Sequence, residues 1–586
     1  MVKVAKMWTR RYLAKNDIGR PVTGEDRMAR VRRMNMNAQQ ARPDWRLIAV
    51  LICVIGLGRL ALGLHLYPYG DDMVYGPLAR LAADETLYIG DDQLRSFENH
   101  AWLYGLIWRA ADATIGVVPA HLALTIGLTV LVGLTMLWIA RAVGAAGWLI
   151  PLAFLVANVV EVRGIGRGAY GGAFGDHFHL QSLAIVFSLL AFLAVLRARW
   201  IWAGVALGLA ALAQPVLAFH AAFAVGCLLL ARGKDGVAQL LMVAVTSMIA
   251  AAPALLTLLD LEFGAVEGVE RVIRDGYLWR ADHHYQLTVH HYLLLGLYGT
   301  LGFLAVRRLG QGGGLNFGLA MTGALCWVFY TNTFGLQMAS TLPYVLDFSR
   351  SSPLLWVLSS ALAAAAAEIA WRSGDRISAY LIGIVVALIL VVNFPDGLIA
   401  VVALAVSLFA IFLATAHASK IPAILAATGA TAMIVSASTA SAPLDRDLRM
   451  KAFYEWAREE TPKDAMFIAP PFIADIRELA QRPVWVDFRA VSMAQADQIM
   501  LSRERHELIT PRFEDLPKTG GWAGARLWTV AYGYRHNAAS IAALLKATNA
   551  AYFVTYKPDE PYELAGEGLK IAYADEHALV LELSQQ

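Results

Sequence analysis

LIAVLICVIGLGRLALGLHLYPYGDDMVYGPLARLAADETLYIGDDQLRSFENH, from Leu47 to His100, decides how this chain is read. Its first part, Leu47 to Leu66, is an apolar run of the length that crosses a ~30 Å hydrocarbon core as a helix. Its second part, Tyr67 to His100, holds seven acids (Asp71, Asp72, Asp84, Glu85, Asp91, Asp92 and Glu98) against two arginines. An acidic segment emerging from a first membrane helix is the feature the rest of the chain must explain.

Apolar residues make up 58% of the 586 positions and charged ones 16%, with a mean hydropathy of +0.51. A soluble chain of this length carries more charge. The expected fold class is an α-helical polytopic membrane protein with a C-terminal extracytoplasmic α/β domain. Residues 1–46 carry twelve Lys and Arg against four acids, a basic tail that stays cytoplasmic beside a retained first helix. Aromatics do not interleave with these basic residues, which argues against a nucleic-acid tail. Cys53, Cys227 and Cys326 all fall in apolar runs, with no disulfide or zinc spacing.

Hydropathy places about thirteen spans, at 47–66, 119–140, 145–160, 179–196, 200–214, 216–231, 236–259, 291–306, 315–334, 353–370, 377–393, 396–416 and 421–440. With the N-terminus inside, the cytoplasmic loops contain Arg141, Arg197 and Arg199, Arg232 and Lys234, Arg307 and Arg308, Arg372 and Arg376, and Lys420. That is the alternation the positive-inside rule requires. The first outer loop, 67–118, includes AWLYGLIWRAA (Ala101 to Ala111), too short to span and suited to an interface-lying helix. Residues 47–440 form the membrane domain. Residues 441–586 alternate helical patterns (Asp445 to Glu460, Ala538 to Ala550) with strand-like runs (MFIAPP, PVWVDF, AYFVTY, LKIAYA, ALVLEL), which reads as a small α/β domain outside the membrane.

Several groups can carry chemistry. A carboxylate just past a membrane helix end can act as a general base or metal ligand, which singles out Asp71 and Asp72 after Gly70. The alternative is that they are merely solvated. Asp91-Asp92 repeats the doublet as a second candidate. Arg163, Arg167, Asp176, His177 and His179 bracket a glycine-rich turn, and glycine permits close backbone approach to a ligand. His283, His284, His290 and His291 can bind metal, although no carboxylate or cysteine completes a recognised spacing. Arg350, at a span boundary beside Asp347, can hold a lipid phosphate by a bidentate fork. His220 lies at membrane depth and is flagged for its cost there.

This layout resembles the GT-C superfamily, membrane glycosyltransferases that use polyprenyl-phosphate-linked sugars, and most of all the catalytic subunits of oligosaccharyltransferases. The resemblance implies that Asp71 and Asp72 are the catalytic acidic pair of the first outer loop. Gly172-Ala173-Phe174-Gly175-Asp176-His177 is similar to the family's glycine-aromatic-Asp turn, which implies an acceptor or metal role for Asp176, with His177 and His179 beside it. Where the family has a second acid, this chain has histidine. Trp456 to Ala465 is similar to the start of the family's outer domain. A WWD-type acceptor motif is absent, so peptide N-glycosylation is not implied. The expectation is an inverting transferase of the cytoplasmic membrane of a bacterium. It moves a polyprenyl-phosphate-linked sugar to an envelope glycan, lipid or protein, with Arg350, Arg163 or Arg167 on the lipid phosphate. The one cofactor implied is a divalent metal, Mg or Mn. A transporter would instead place ionisable groups near mid-membrane in two similar halves. A scaffold would leave the acids solvated.

Overall fold

The computed structural model describes residues 45–63, 72–96, 102–159, 180–259, 352–393, 536–556 and 568–584, scattered positions between 293 and 318, and 450–510 apart from 472, 474, 488–489 and 491–495. The chain divides into two compact units, Met1–Ile48 and Ala49–Gln586. The helices and the C-terminal sheet described below belong to the second, apart from the first four residues of α1, Trp45 to Ile48.

Apolar runs become helices at the expected places. These are α1 Trp45–Gly63, α4 Val117–Ala142, α5 Ile150–Val159, α6 Leu180–Leu196, α7 Trp200–Ala213, α8 Pro215–Leu230, α9 Lys234–Leu259, α10 Ser352–Arg372 and α11 Arg376–Asn393. Between α1 and α4 lie α2 Asp72–Ala83 and α3 Trp102–Asp112. Among the described residues three stretches are long and apolar enough to cross a membrane: Pro119–Ala142, Lys234–Pro253 and Pro353–Arg372. The helix α7 has 14 residues and rises about 21 Å at 1.5 Å per residue. That falls short of a ~30 Å core. It stops because Gln214 is extended (φ −153°, ψ 96°) and Pro215, which has no N–H to donate, opens α8. The expected spans at 396–416 and 421–440, most of 315–334 and part of 291–306 lie outside the described residues.

Two devices hold the helices together. The first is close approach at glycine. A Cβ on Gly204 of α7 would meet the Val243 carbonyl oxygen at 2.5 Å, and one on Gly208 would meet the Ser247 carbonyl oxygen at 2.6 Å. These two glycines, four apart on one face, let α7 lie against α9 backbone to backbone. The second is a buried carboxylate. Glu368 of α10 accepts from the amides of Ala146, Gly147 and Trp148 at 2.7, 2.8 and 3.0 Å, and pairs with Arg372 at 3.0 Å. It thereby joins the turn after Arg141 to the end of α10. Charge counting places these two ends on the same side.

The C-terminal region is a four-stranded sheet of order β1-β2-β4-β3: β1 Phe467–Ile468, β2 Tyr552–Tyr556, β3 Leu569–Ala574 and β4 Ala578–Leu583. The pair β1–β2 is parallel and the others are antiparallel. Strand alternation sends Val554 and Val580 to one face, against Phe453 and Tyr454 of α12 (Lys451–Glu460) and Ile476. Phe553 and Leu581 go to the other, against Ile541 and Leu545 of α14 (Ala538–Thr548) and Ile509 of α13 (Ala496–Ile509). Asn537 caps α14 with a full capping box through Ser540. The expected run PVWVDF contributes a single bridge, Val484 to Phe467, rather than a strand.

Replacing Gly208 with Ile should force α7 and α9 apart. Overpacking of this kind costs about 1–3 kcal/mol, so a lowered melting temperature of the purified protein in detergent is the expected reading. An unchanged transition would show that the close approach is not needed.

Candidate functional site

Of the expected site residues, Asp71, Asp176, His177, His179, Arg163, Arg167, Arg350, His283 and His284 lie outside the described residues. Asp72 is the first residue of α2. Asp72 therefore stands at a helix N-terminus, where backbone N–H groups lack helical partners and a negative charge is favoured. The helix is not a solvated loop: Val74, Leu78, Ala79 and Leu81 are buried.

Asp91 and Asp92 take a different part from the one the sequence suggested. Asp91 is fully buried. Its Oδ1 accepts from the Leu94 amide at 3.0 Å and from Arg477 Nη2 at 2.9 Å. Its Oδ2 accepts from Arg477 Nε at 2.7 Å and from the Val484 amide at 3.0 Å. Four donors occupy both oxygens, leaving no lone pair for a substrate proton or a metal ion. Asp92 pairs with Arg505, which also lies over the Trp485 ring at 4.5 Å. Both acids are anchors for the segment that carries them. Asp91 caps the one-turn helix Asp92–Arg95 as well.

Arg477 is the centre of this junction. It sits in a wide π-helical turn, Ile476–Ala480, and is fully buried. Beyond its bidentate pair with Asp91 it donates to Asp487 Oδ2 at 2.9 Å and Gln93 Oε1 at 3.1 Å. Gln93 is bracketed by residue 487: its Nε2 donates to the Asp487 carbonyl at 2.8 Å while its Oε1 accepts from the Asp487 amide at 2.8 Å. Burial alone would pull the Arg477 pKa down, but Asp91 and Asp487 outweigh it and hold it above the ordinary value. Tyr88 donates its hydroxyl to the Arg477 carbonyl at 2.8 Å. Burial, with Glu478 adding to it, drives the Tyr88 pKa far up, so the phenol stays neutral. Tyr88 holds a left-handed backbone (φ 55°), costly for a bulky side chain, two residues before Gly90 (φ 81°).

The neighbouring residue, Glu478, reaches the other arm of the segment. It is buried and pairs with Arg80 of α2. Gly76, one turn earlier on α2, makes room for it: a Cβ there would meet the Glu478 Cδ at 2.8 Å. Lys463 adds a looser contact to Asp84 at 3.6 Å. The partners Arg477, Glu478, Asp487 and Arg505 were not singled out from the sequence. The available signal was an arginine and a glutamate between the buried Ile473, Ile476 and Ala480, where neither charge has reason to sit unless it is paired.

Among the described residues no three His, Cys, Asp or Glu groups lie together as a metal site. His220 is buried in α8 with its ring edge-on to Phe219 at 5.8 Å, and His121 stacks on Trp108 of α3 at 5.8 Å. Both act as packed aromatic groups. His506 of α13 is buried too, and burial pushes its pKa down to about 3.

A protein-family model described as a domain of unknown function (DUF6798) matches residues 449–507. No curated protein matches the chain. Among solved structures it is similar to ArnT from Cupriavidus metallidurans bound to undecaprenyl phosphate, at 14% identity and a TM-score of 0.45, covering 92% of this chain and 98% of that one. It is also similar to the Archaeoglobus fulgidus oligosaccharyltransferase in complex with Zn and sulfate, at 15% identity and a TM-score of 0.34, covering 87% of this chain and 63% of that one.

Asp91→Ala should strand a buried guanidinium and lower stability by about 3–5 kcal/mol. Asp92→Ala, at a pair open to solvent on one side, should cost no more than about 1 kcal/mol. Denaturant unfolding of the purified protein would separate the two. His506 gives a pH test. The unfolded chain takes up its proton below about 6.5, and the folded chain only near 3. The stability it contributes is therefore present above pH 6.5 and lost as pH falls from there toward 3. His506→Gln should flatten that part of the acid-unfolding profile.

Proposed function

We propose that this chain is a membrane glycosyltransferase moving a sugar from a polyprenyl-phosphate-linked donor to an envelope glycan, lipid or protein acceptor at the outer face of the cytoplasmic membrane. The observation that carries the reading is the anchoring of the first acidic segment. From Asp72 the chain runs as a half-buried helix gripped at Arg80 and followed by a turn held through Asp91. Solvation alone needs no such construction. A carboxylate that must meet a reacting hydroxyl does, because proton transfer requires a fixed approach of about 3 Å.

In the proposed step Asp71 or Asp72 takes the proton of the acceptor hydroxyl. The oxygen forms its bond to the anomeric carbon as the bond from that carbon to the phosphate oxygen breaks, with inversion. Lipid phosphate departs with the electron pair and needs no strong acid. Arg350, or Arg163 or Arg167, neutralises its charge, and Asp176 orients the acceptor. A divalent cation, Mg or Mn, enters this reading only at Asp176, His177 and His179, where it would offset phosphate charge. Asp91 and Asp92 have no part in the chemistry.

A transporter is disfavoured by where charge is buried. Among the described residues the buried charged groups are Asp91, Glu368, Arg477, Glu478, Arg482, Asp487 and Arg505. Of these only Glu368 belongs to a membrane helix, and it sits one turn from that helix's end.

Asp71→Asn together with Asp72→Asn should abolish transfer while the protein accumulates normally. The measurement is mass spectrometry of envelope glycans and lipid-linked sugars in a deletion strain complemented with each allele. A wild-type profile from the doubly substituted allele would remove the assignment.

A further inference from the structure

We propose that the region matched by the family of unknown function, 449–507, is an intramolecular receptor for the first hydrophilic segment, and that its adjacent Arg477 and Glu478 are positioning residues for α2, the helix that begins at Asp72. The second half of this statement rests on the transferase reading; the first does not.

Among the described residues, the C-terminal partners in the hydrogen bonds and ion pairs above, Lys463, Arg477, Glu478, Val484, Asp487, Ser502 and Arg505, all fall inside 449–507. On the other side the contacts run from Gly76 to Gln93. The receptor reads this segment residue by residue. Arg477 takes the Asp91 carboxylate as a fork. Residue 487 uses its backbone N–H and C=O, and Ser502 its hydroxyl, to read both ends of the Gln93 amide. Arg505 takes Asp92. A buried amide read at both ends and a buried carboxylate with four donors define one register, because a slip of one residue would leave several of these groups dry and unpaired.

Glu478 extends that register to α2. It meets Arg80 and lies against the bare backbone face of Gly76, one turn from Asp72. Two consecutive residues of one π-helical turn thus fix both the turn Tyr88–Asp92 and the helix that begins at Asp72. A π turn at a functional position is a recurring arrangement. The gap at Gly76 is matched to Glu478 in size, which gives a compensating pair of substitutions. Gly76→Ala drives a methyl into the Glu478 carboxylate, and Glu478→Asp withdraws that carboxylate by one methylene.

The experiment uses the full-length protein in detergent for amide hydrogen exchange and the complemented deletion strain for transfer, with α14 as the control for folding. Gly76→Ala should raise exchange across 72–83 about tenfold while α14 stays protected, and should lower transfer alongside. Adding Glu478→Asp should restore both. Should Gly76→Ala not accumulate, Arg80→Gln, which removes the half-exposed partner of the same pair, carries the same test. Unaltered exchange across 72–83 in these variants would overturn the receptor. Raised exchange with undiminished transfer, in a strain where Asp71→Asn with Asp72→Asn abolishes it, would overturn the positioning role and leave the transferase reading standing. Transfer surviving the double Asn allele would sink that reading and the positioning role with it, while the exchange result decides the receptor alone.

Discussion

A fully buried guanidinium bonded to a carboxylate 386 residues away in sequence is the constraint on which the described architecture turns. Removing two charges from water costs several kcal/mol per ion, and the loss is recovered only where geometry is good and every other polar atom finds a partner. At Arg477 and Asp91 that condition is met by Gln93, Asp487 and the amides of Leu94 and Val484. The pair cannot form until the first hydrophilic segment and the C-terminal region are both folded and in contact. It therefore couples two stretches that composition alone would treat as a loop and a separate domain. The left-handed backbone at Tyr88 belongs to the same construction, since its phenol donates to the Arg477 carbonyl.

The helical part uses polar groups more sparingly and for the same end. Glu368 is the one buried charge in its described helices, and it is spent on three backbone amides and Arg372 at a helix end. Elsewhere, close packing replaces ion pairing. Gly204 and Gly208 bring α7 onto α9 because α7 puts no side chain of its own at these points, where Thr246, Ala250 and the α9 carbonyls fill the space. In hydrocarbon there is no hydrophobic drive between helices, so contact of this kind is what holds them.

The junction also changes how the acids of the first segment are sorted. By spacing, Asp71-Asp72 and Asp91-Asp92 are equivalent doublets at the ends of helical or turn elements. In three dimensions Asp91 caps a turn and saturates a buried arginine, while Asp72 is the first residue of α2. A carboxylate with four donors is a structural element.

Hydropathy runs and charge bias located most helices to within a few residues, since a 3.6-residue period and a ~30 Å core leave few other solutions. Alternation likewise announced β2, β3 and β4, and the apolar face of α14 was plain in Ala538 to Thr548. The first segment's importance could be read from its excess of acids. What each acid does could not. Whether Asp91 is a base or an anchor depends on Arg477, and no local pattern joins two residues so far apart. The π turn, the fit of Gly76 to Glu478 and the double reading of Gln93 are likewise properties of contact. Sequence dictated the elements because their energetics are local or set by the bilayer. Tertiary structure assigned the roles because the cost of a buried charge is decided by the partner it meets.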